Sequence, residues 1–471
     1  MATDKTQIES QVNPGSDGEL NLYLSMPYNL EHSSLTDASS DPATTRLLQD
    51  VSKAILQDPG LPRPNPTVSA WQVPPHPSLA SIQSQDLPEF TDFVVIGSGI
   101  TGCSVTKALL EHPSTANSRV AVLEARTLVS GATGRNGGHL VTASGHTFGP
   151  LAEQHGTEAA KEITRFSIMN IEHLMGLVRE FDPVLQEECQ IRDVLKVMAV
   201  GDDETWASAK SSVLGFQDNV PEYSTYHRII ERDQVPKRWN IKNASGAVEH
   251  EAGAVWPYRL LTGIYESLLE KHIDRLNIET NTPVIRVEFS QGLYPYIITT
   301  PRGSIRAKKQ NPLTRSIWIG NETAYMKDIL TADDTYVPQE ARQALSTVLP
   351  KLFLDGWGSE TVSEIESIWS GIQGHTADGL PIVGRIPQSV TGTVGDNGQW
   401  IAAGFNGYGM DKCWLTGEAL VKMILGDDVS GWFPGAFLIT EERLQNKLTA
   451  DRTLLKFAKI ALPGGAKEGK L

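Results

Sequence analysis

The stretch DFVVIGSGITG, residues 92–102, decides the fold of this chain. A short β-branched run over residues 93–96 predicts a buried strand, and a helical segment over residues 103–110 follows it. Between them, Gly97, Gly99 and Gly102 fit the GxGxxG pattern. In that pattern the first glycine allows a tight turn, the second lets the backbone approach a diphosphate, and the third lets the helix pack on the strand. The stretch therefore predicts the start of a nucleotide-binding βαβ unit.

A second apolar run, RVAVLEAR at residues 119–126, supplies the next predicted strand. Glu124 stands at its end, where a carboxylate can accept hydrogen bonds from ribose hydroxyls. The predicted helix offers its unpaired N–H groups and the positive end of its dipole to phosphates. The glycine pattern alone is weak evidence, because an ordinary glycine-rich turn can contain it. Strand, glycines, helix, second strand and acid in this order favour the nucleotide site.

Composition limits the classes of function. The chain has 471 residues, 40% of them hydrophobic, which is enough for two or three domains or one large two-lobed enzyme. A formal net charge of -15 argues against nucleic acid or an anionic membrane surface as the main partner. Cys103, Cys189 and Cys413 have no metal-ligand spacing, so we expect neither a metal nor a disulfide framework.

No apolar run approaches the ~18 to 20 residues of a membrane span, and the opening residues have no signal-peptide core. We therefore expect a cytoplasmic protein without a membrane span. The final Gly-Lys-Leu resembles a peroxisomal address only weakly, since glycine replaces serine.

Three further segments are rich in glycine. The first, SGATGRNGGHL at residues 130–140, carries Arg135, which could meet a phosphate or a substrate carboxylate; the alternative is a flexible surface loop. The second is SIWSGIQGHTADGLPIVG at residues 367–384. The third is QWIAAGFNGYGMDKCWL at residues 399–415, a strand and glycines that lead into a helix ending near residue 425. As in the first motif, a loop leads into a helix N-terminus that could face an anionic group.

The remaining chain has weaker signals. Residues 1–45 are polar with little periodicity, residues 45–56 fit a short helix, and prolines between residues 62 and 88 favour an extended segment anchored by Trp71. The patterns predict further helices and strands in the middle of the chain. The helices are residues 158–181 and a segment within 253–270, and the strands are residues 194–200, 284–289 and 294–300.

Taken together, the fingerprint ending LEAR, the loop SGATGRNGGH, the segment HTADGLPIVG and the closing GFNGYGM resemble the D-amino-acid-oxidase-like FAD-dependent oxidoreductases. Within them the chain is similar to the fungal branch that resembles gamma-glutamylputrescine oxidoreductase. The resemblance covers residues 64–427 with gaps. It implies an α/β fold with a Rossmann-like FAD-binding domain of the glutathione-reductase type. It also implies a second, mostly antiparallel-sheet substrate domain that is truncated here.

The resemblance also implies a division of the chain between the two domains. The expected parts are a mobile tail at 1–62, FAD-binding parts at 63–190, 246–290 and 367–440, substrate-domain parts at 191–245 and 291–366, and a C-terminal tail at 441–471.

Site residues carry over from the same motifs. The expected FAD-binding residues are Gly97, Ser98, Gly99, Ile100, Thr101, Gly102, Glu124, Ala125, Arg126, Gly131, Ala132, Thr133, Arg135, Asn136, Gly137, Gly138, Asp378, Gly379, Gly404, Phe405, Asn406, Gly407, Tyr408, Gly409 and Met410. Candidate catalytic residues are His139 and His375, although either fits a structural histidine equally. Gly371 stands where one subgroup carries its flavin-linking cysteine, so we expect FAD to be bound non-covalently. Arg259 and Tyr258 are weaker candidates for holding a substrate's polar group.

The implied reaction is oxidation of the C–N bond of a small-molecule amine or amino acid. Hydride passes to flavin N5, and oxygen or another acceptor reoxidises the flavin. An NAD dehydrogenase would fit the first motif but would leave the two later ones unexplained.

One region departs from the family pattern. Only about sixty residues separate the turn at 301–308 from Trp369, where such enzymes carry a strand and then a sheet that roofs the substrate. Residues 316–330 could be that strand, with Asn321 and Tyr325 in similar places, or residues 318–334 could be the later piece of the roof. We prefer the second alignment, because its spacing to Trp369 fits without a gap. A missing block leaves open a non-catalytic flavin-binding protein.

Overall fold

The computed structural model describes residues 46, 49, 50, 52, 53, 55–311, 331–354, 365, 367–392 and 398–461. The described residues between 46 and 56 are helical, as the sequence predicts. The predictions for residues 1–45 and for the altered roof at 316–330 fall outside the described part of the chain.

Twelve strands are defined in this part of the chain. They are β1 Phe90–Ile96, β2 Val120–Leu123, β3 His139–Leu140, β4 Arg192–Val200, β5 His227–Glu231, β6 Gly246–Ala254, β7 Leu276–Glu279, β8 Arg286–Phe289, β9 Tyr296–Thr300, β10 Gly303–Asn311, β11 Ile382–Arg385 and β12 Trp400–Ala403.

The helices of the same described residues include one of 24 residues, α3, in the region where the sequence predicts a long helix. They are α1 Ile100–Glu111, α2 Ser144–His155, α3 Thr157–Glu180, α4 Pro183–Glu188, α5 Asp203–Asn219, α6 Val235–Trp239, α7 Pro257–Lys271, α8 Gln339–Leu352, α9 Gln388–Thr391, α10 Cys413–Leu425, α11 Glu441–Asn446 and α12 Ala450–Ala461. Among the helices described here, none is long and apolar enough to cross a bilayer.

The first sheet contains the fingerprint strand. Its six strands run in the order β7-β2-β1-β10-β9-β8. β1 pairs in parallel with β2 and with β10, β2 pairs in parallel with β7, and β9 and β8 complete the sheet in antiparallel pairing. β1 and β2 are almost wholly buried, which explains their continuous apolar runs. The predicted βαβ unit is present as β1, α1 and β2.

The second sheet is antiparallel and is built around β6. β4 pairs with β6 along its whole length, and β3 and β5 also pair with β6. The predicted α/β class with parallel and antiparallel sheets is confirmed.

Two of the expected domain boundaries do not follow the sheets. The expected FAD-binding part at 246–290 contains β6, but β6 is the central strand of the second sheet. The expected substrate-domain part at 291–366 contains β9 and β10, but β10 pairs with the fingerprint strand β1. The reason is that the strand patterns are local, whereas the choice of partner strand depends on contacts far apart in sequence.

The largest hydrophobic core lies between the first sheet and the helices α1, α3, α7 and α10. Gly417 of α10 allows this packing, because a Cβ there would lie 2.5 Å from the Ser104 hydroxyl of α1. Ser104 in turn donates a hydrogen bond to the Trp414 carbonyl at 2.6 Å. The close contact fixes the start of α10 beside the start of α1.

The proline-rich approach, residues 62–88, packs against this core without an α-helix, as the sequence predicts. It is not extended throughout, since it contains a 3₁₀-helix at Ala70–Gln72 and turns at residues 77–81. Trp71 anchors it: its ring meets Trp256 edge-on at 5.4 Å, its Nε1 donates to the Asn136 carbonyl, and its own carbonyl accepts from Trp256 Nε1 at 2.6 Å. The anchor ties this segment to the glycine-rich loop that follows β2.

Candidate functional site

A cleft opens at the C-terminal end of β1. This edge is where open α/β sheets bind ligands. The predicted residues that line the cleft are Gly97, Ser98, Gly99, Ile100, Thr101, Glu124, Ala125, Arg126, Gly131, Ala132, Thr133, Arg135, Asn136, Phe405, Asn406, Gly407, Gly409 and Met410. Three motifs, of which the first and last stand more than about 300 residues apart in sequence, therefore meet at one cleft.

The floor of the cleft is the fingerprint turn. Gly97 has φ +98, which L side chains rarely adopt. A Cβ on Gly102 would lie 2.0 Å from the Gly97 carbonyl oxygen. Gly99 is the N-cap of α1 and supplies no side-chain cap. The Ile100 N–H donates to the Thr133 hydroxyl at 2.9 Å, so the second glycine-rich loop lies against the helix start. The backbone here can approach an anionic group closely.

Glu124 organises one end of this turn. It is 8% exposed, and its Oε2 accepts hydrogen bonds from the Ser98 N–H at 3.0 Å and the Ser98 hydroxyl at 2.6 Å. Its Oε1 accepts from the Arg126 N–H at 3.0 Å. A carboxylate has about four acceptor sites, so capacity is left for a ligand hydroxyl.

Arg126, Arg135 and Asp334 line one side of the cleft, which we call the charged wall. The sequence did not indicate Asp334. Its Oδ2 accepts from Arg126 Nη1 at 2.9 Å and lies 3.8 Å from Arg135 Nε. Arg135 also donates to the Ser370 carbonyl and to both oxygens of Thr67 at 2.7 Å. Burial lowers the pKa of Arg135 to about 10, opposed by Asp334 and assisted by Arg126. The Arg135 guanidinium is therefore mostly committed to protein partners.

Some buried polar atoms of this wall have no hydrogen-bond partner within the described residues. They are Arg135 Nη1, Asp334 Oδ1 and Ser130 Oγ. Leaving buried polar atoms unpaired costs free energy, so such atoms beside a cleft are expected where a polar ligand completes the site.

The opposite wall is built by the last glycine-rich motif. Gly404, Asn406 and Gly407 have φ between +54 and +81, which lets the chain turn tightly. The Asn406 N–H donates to the Gly374 carbonyl at 3.0 Å, joining this loop to the segment of residues 372–374. Asn170 of α3 clamps the loop from behind, donating to the Met410 carbonyl at 2.9 Å and accepting from the Leu415 N–H at 2.8 Å. α10 therefore begins at the cleft.

Asp378, an expected cofactor contact, has a different environment. Arg443 donates to it through Nε at 2.8 Å and Nη2 at 3.1 Å, and both side chains are buried. The same guanidinium donates to the carbonyls of Leu380, Pro381, Phe437 and Leu438. Burial acts to raise the pKa of Asp378, but the hydrogen bonds and charge of Arg443 leave it lowered. Asp378 therefore lies outside the cleft lining, and the predicted C-terminal tail contains a buried arginine, Arg443, that holds residues 378–381 in place.

The other expected residues also lie outside the cleft lining. They are Gly102, Gly137, Gly138, Gly379, Gly404 and Tyr408 of the cofactor set and the candidate catalytic residues His139 and His375. Gly102 and Gly138 support neighbouring backbone, since a Cβ at Gly138 would lie 2.5 Å from the Val255 carbonyl oxygen. His375 is exposed and contacts Gln373 at 2.8 Å, and His139 begins β3.

The two weaker candidates for holding substrate have structural partners. The Arg259 guanidinium lies 3.7 Å from the centre of the Trp256 ring, and the Tyr258 hydroxyl accepts from the His76 N–H at 2.9 Å.

Sequence reasoning missed the other lining residues. They are Pro59, Gly60, Leu61, Pro62, Ile96, Leu123, Val284, Ala332, Asp334, Ile372, Gly374 and Cys413. Four of these belong to the segment predicted as a mobile tail. No group of three or more His, Cys, Asp or Glu in the described residues could hold a metal.

The cleft and its three motifs define a dinucleotide-binding enzyme architecture. The family model DAO, FAD dependent oxidoreductase, matches residues 92–309 and 290–423, well over half of the chain. The chain belongs to this family of FAD-dependent oxidoreductases, whose cofactor is FAD.

Individual proteins are also similar to this chain. The chain is 23% identical to gamma-glutamylputrescine oxidoreductase of Escherichia coli (strain K12) over 386 residues, which cover 71% of this chain and 84% of that protein. It resembles the structure of glycine oxidase from Geobacillus kaustophilus with a TM-score of 0.55 at 16% identity, covering 75% of this chain and 99% of that one. L-proline dehydrogenase from P. horikoshii matches with a TM-score of 0.52 at 18% identity over 77% and 100% of the two chains. At these identities the two structures establish the fold alone.

We expect Glu124→Gln to weaken FAD binding by roughly tenfold to a hundredfold, because charge-assisted hydrogen bonds contribute about 1.5 to 3 kcal/mol each. The amide nitrogen would also face a donor, either the Ser98 N–H or the Arg126 N–H, depending on its orientation. Equilibrium titration of the apoprotein with FAD measures the effect. Glu111→Gln, an exposed carboxylate on α1, is the matched control and should bind as the wild type does. If Glu124→Gln bound FAD as tightly as the wild type, the Glu124 carboxylate would not be a contact of FAD.

Proposed function

We propose that this protein oxidises the C–N bond of a small-molecule amine or amino acid, with FAD held in the cleft described above. The observation that carries the proposal is the meeting of the fingerprint turn, the loop at 131–136 and the loop at 405–410 around one cleft. The names of the relatives, an amine oxidoreductase and amino-acid oxidases among them, support the substrate class.

The protein residues fit FAD. The bare start of α1 and the backbone of Gly97 and Gly99 would hold the diphosphate, and Glu124 would accept hydrogen bonds from the adenosine ribose. The unpaired atoms of Arg135, Asp334 and Ser130 give polar partners along the wall. The remaining expected contacts, among them Gly131 to Asn136 and Phe405 to Met410, would lie along the rest of the cofactor.

The chemistry of hydride acceptance at N5 belongs to the bound FAD. The chain supplies orientation and electrostatics. α10 begins at Cys413, which itself lines the cleft, so the positive end of its dipole would favour negative charge at that end of the cleft. The lining carboxylates Glu124 and Asp334 already bind protein donors, so neither is poised as a general base. The substrate would therefore react as the neutral amine.

We also propose a glutathione-reductase-like arrangement of the FAD-binding domain, a truncated substrate lobe, and oxygen or another acceptor as the oxidant. His139 and His375 are proposed as catalytic residues. The block on which the truncation depends falls on residues 312–330, outside the described part. The rival function is a flavin-binding protein without turnover. It depends on the same block, because loss of that block would remove part of the substrate lobe.

Anaerobic addition of a panel of amines and amino acids to the FAD-loaded protein tests this function. We expect bleaching of the flavin absorbance by one class of amine, because removal of hydride from the substrate reduces the flavin. A matched panel of alcohols of the same carbon skeletons is the control. Bound flavin that no amine reduces would favour the non-catalytic alternative.

A further inference from the structure

A short apolar segment contributes to the cleft lining from outside the part of the chain that the family resemblance covers. We call residues 59–62, Pro-Gly-Leu-Pro, the N-terminal strap. All four residues line the cleft, and all four are exposed. Gly60 has φ +70, and its N–H donates to Asp58 Oδ1 at 2.9 Å, so the chain turns here. A proline at each end of the strap restricts the backbone further, which lowers the entropy lost in holding this shape.

Hydrogen bonds connect the strap to the end of the cleft that Glu124 marks. Just beyond the strap, the Thr67 N–H donates to the Asp334 carbonyl at 2.8 Å, and the Thr67 hydroxyl donates to the same oxygen at 3.0 Å. The Asp334 carboxylate accepts from Arg126 at 2.9 Å. Arg126 stands two residues after Glu124, and its N–H donates to the Glu124 carboxylate. The charged wall therefore holds the strap at the Glu124 end of the cleft.

Apolar side chains lie beside Glu124 in the cleft lining. Leu123 precedes it in β2. Val284 is brought to the same place from another part of the chain, because the Thr282 N–H donates to the Glu124 carbonyl at 2.8 Å. The strap adds no charged or polar side chain, and its prolines have no N–H to donate. A diphosphate requires donors or cations, so this part of the lining suits the face of a ring instead.

Leu61 is the side chain of the strap with the most apolar surface to offer. It is 40% exposed although it lines the cleft. Burial of such a side chain against an apolar surface is favourable, and the faces of an adenine ring are apolar. Glu124 would accept hydrogen bonds from the adenosine ribose, and the adenine ring is attached to that ribose. The ring would therefore lie at the same end of the cleft as Leu61.

We propose that the N-terminal strap packs against the adenine ring of FAD and that Leu61 is a cofactor contact. The inference rests on the proposed function, in which FAD occupies the cleft. It extends the cofactor site to a segment that precedes the matched family model, which begins at residue 92. The strap holds the adenosine half by burial of apolar surface, whereas the start of α1 holds the diphosphate through its N–H groups.

Titration of the apoprotein with FAD, and with ADP in competition with FAD, tests the proposal. ADP carries the adenine, ribose and diphosphate of the cofactor but no flavin. We expect Leu61→Ser to weaken the binding of both ligands by the same factor, at least about threefold, because an apolar contact is lost. Leu61→Met keeps an apolar side chain of similar volume and should bind both ligands as the wild type does.

Leu56→Ser is the matched control. Leu56 is 62% exposed in the helical residues that precede the strap, and it lies outside the cleft lining. This variant should bind FAD and ADP as the wild type does. The ligand-free form of Leu61→Ser should unfold at the same thermal midpoint as the wild-type apoprotein, because substitution of an exposed side chain changes stability little. The loss of affinity then reports on contact with the ligand.

Three results would contradict the account, each in a different part. Wild-type FAD affinity in Leu61→Ser would overturn the proposal. Weaker FAD binding with unchanged ADP binding would place the strap at the flavin and overturn the adenine assignment. A wild-type apoprotein that binds neither ligand would overturn the strap together with the proposed function, whereas bound flavin that no amine bleaches would contradict the proposed function alone.

Discussion

Gly102→Ala should yield protein that retains little or no FAD. The added Cβ would lie 2.0 Å from the Gly97 carbonyl oxygen and 3.5 Å from a methyl of Val95. The first contact is with backbone, which cannot rotate away, so α1 or the turn must move. Overpacking of this kind costs about 1 to 3 kcal/mol or more, and the displacement falls on the N–H groups that face the cleft. We expect FAD affinity to fall at least a hundredfold, measured by flavin content and by titration of the apoprotein.

Gly176→Ala is the control for the loss of a glycine. Gly176 lies inside α3, and its added Cβ would meet nothing within 4 Å. We expect normal FAD binding and a gain of about 0.5 to 1 kcal/mol in the free energy of unfolding, because alanine is the better helix former. Full FAD retention by Gly102→Ala would contradict the geometry assigned to the turn.

Arg443→Met should have the largest effect on stability. It leaves Asp378 buried without its partner and removes the donor to four backbone carbonyls. Breaking a buried ion pair from one side costs about 3 to 5 kcal/mol. Urea unfolding at pH 7 measures the loss. Arg179→Met removes the exposed Arg179–Asp193 pair and should change the free energy of unfolding by no more than about 1 kcal/mol.

The pH dependence of this pair has a defined sign. In the wild type the folded-state pKa of Asp378 is lowered below 3.8, the value of an ordinary aspartate. The ion pair of Asp378 with Arg443 therefore contributes its full stabilisation above pH 3.8. This stabilisation is lost as the pH falls through the folded-state pKa. In Arg443→Met the hydrogen bonds and charge of Arg443 are gone, so burial, the largest influence, raises that pKa against only the Leu380 N–H hydrogen bond and His155. The stability difference between the two proteins should therefore narrow as the pH falls from 7 to 4. A difference that stays constant over this range would show that Asp378 is not the group concerned.

The sequence predicted those parts of the site that local patterns encode. The fingerprint glycines, Glu124 and the loop at 405–410 each stand in a short motif, and all belong to one nucleotide-binding architecture. Asp334 could not be predicted, because its pairing with Arg126 joins residues 208 positions apart. The same limit explains why the expected domain boundaries near β6 and β10 do not follow the sheets. The residues of a strand do not by themselves determine which strand it pairs with.

Arg443 was missed for a different reason. The resemblance to the family covers residues 64–427, so Arg443 falls in the expected C-terminal tail. The structure shows a short helix there, α11, capped by the Thr440 side chain, which accepts from the Arg443 N–H. No local pattern reveals that the arginine is buried against Asp378.

The central claim is that this cleft holds FAD. The most direct test is the visible absorption spectrum of the purified protein after incubation with excess FAD and gel filtration, repeated on the filtrate after denaturation. The account predicts a flavin spectrum equivalent to one FAD per chain that passes entirely into the filtrate, as expected for a non-covalent cofactor. A colourless protein after incubation with FAD would contradict the account.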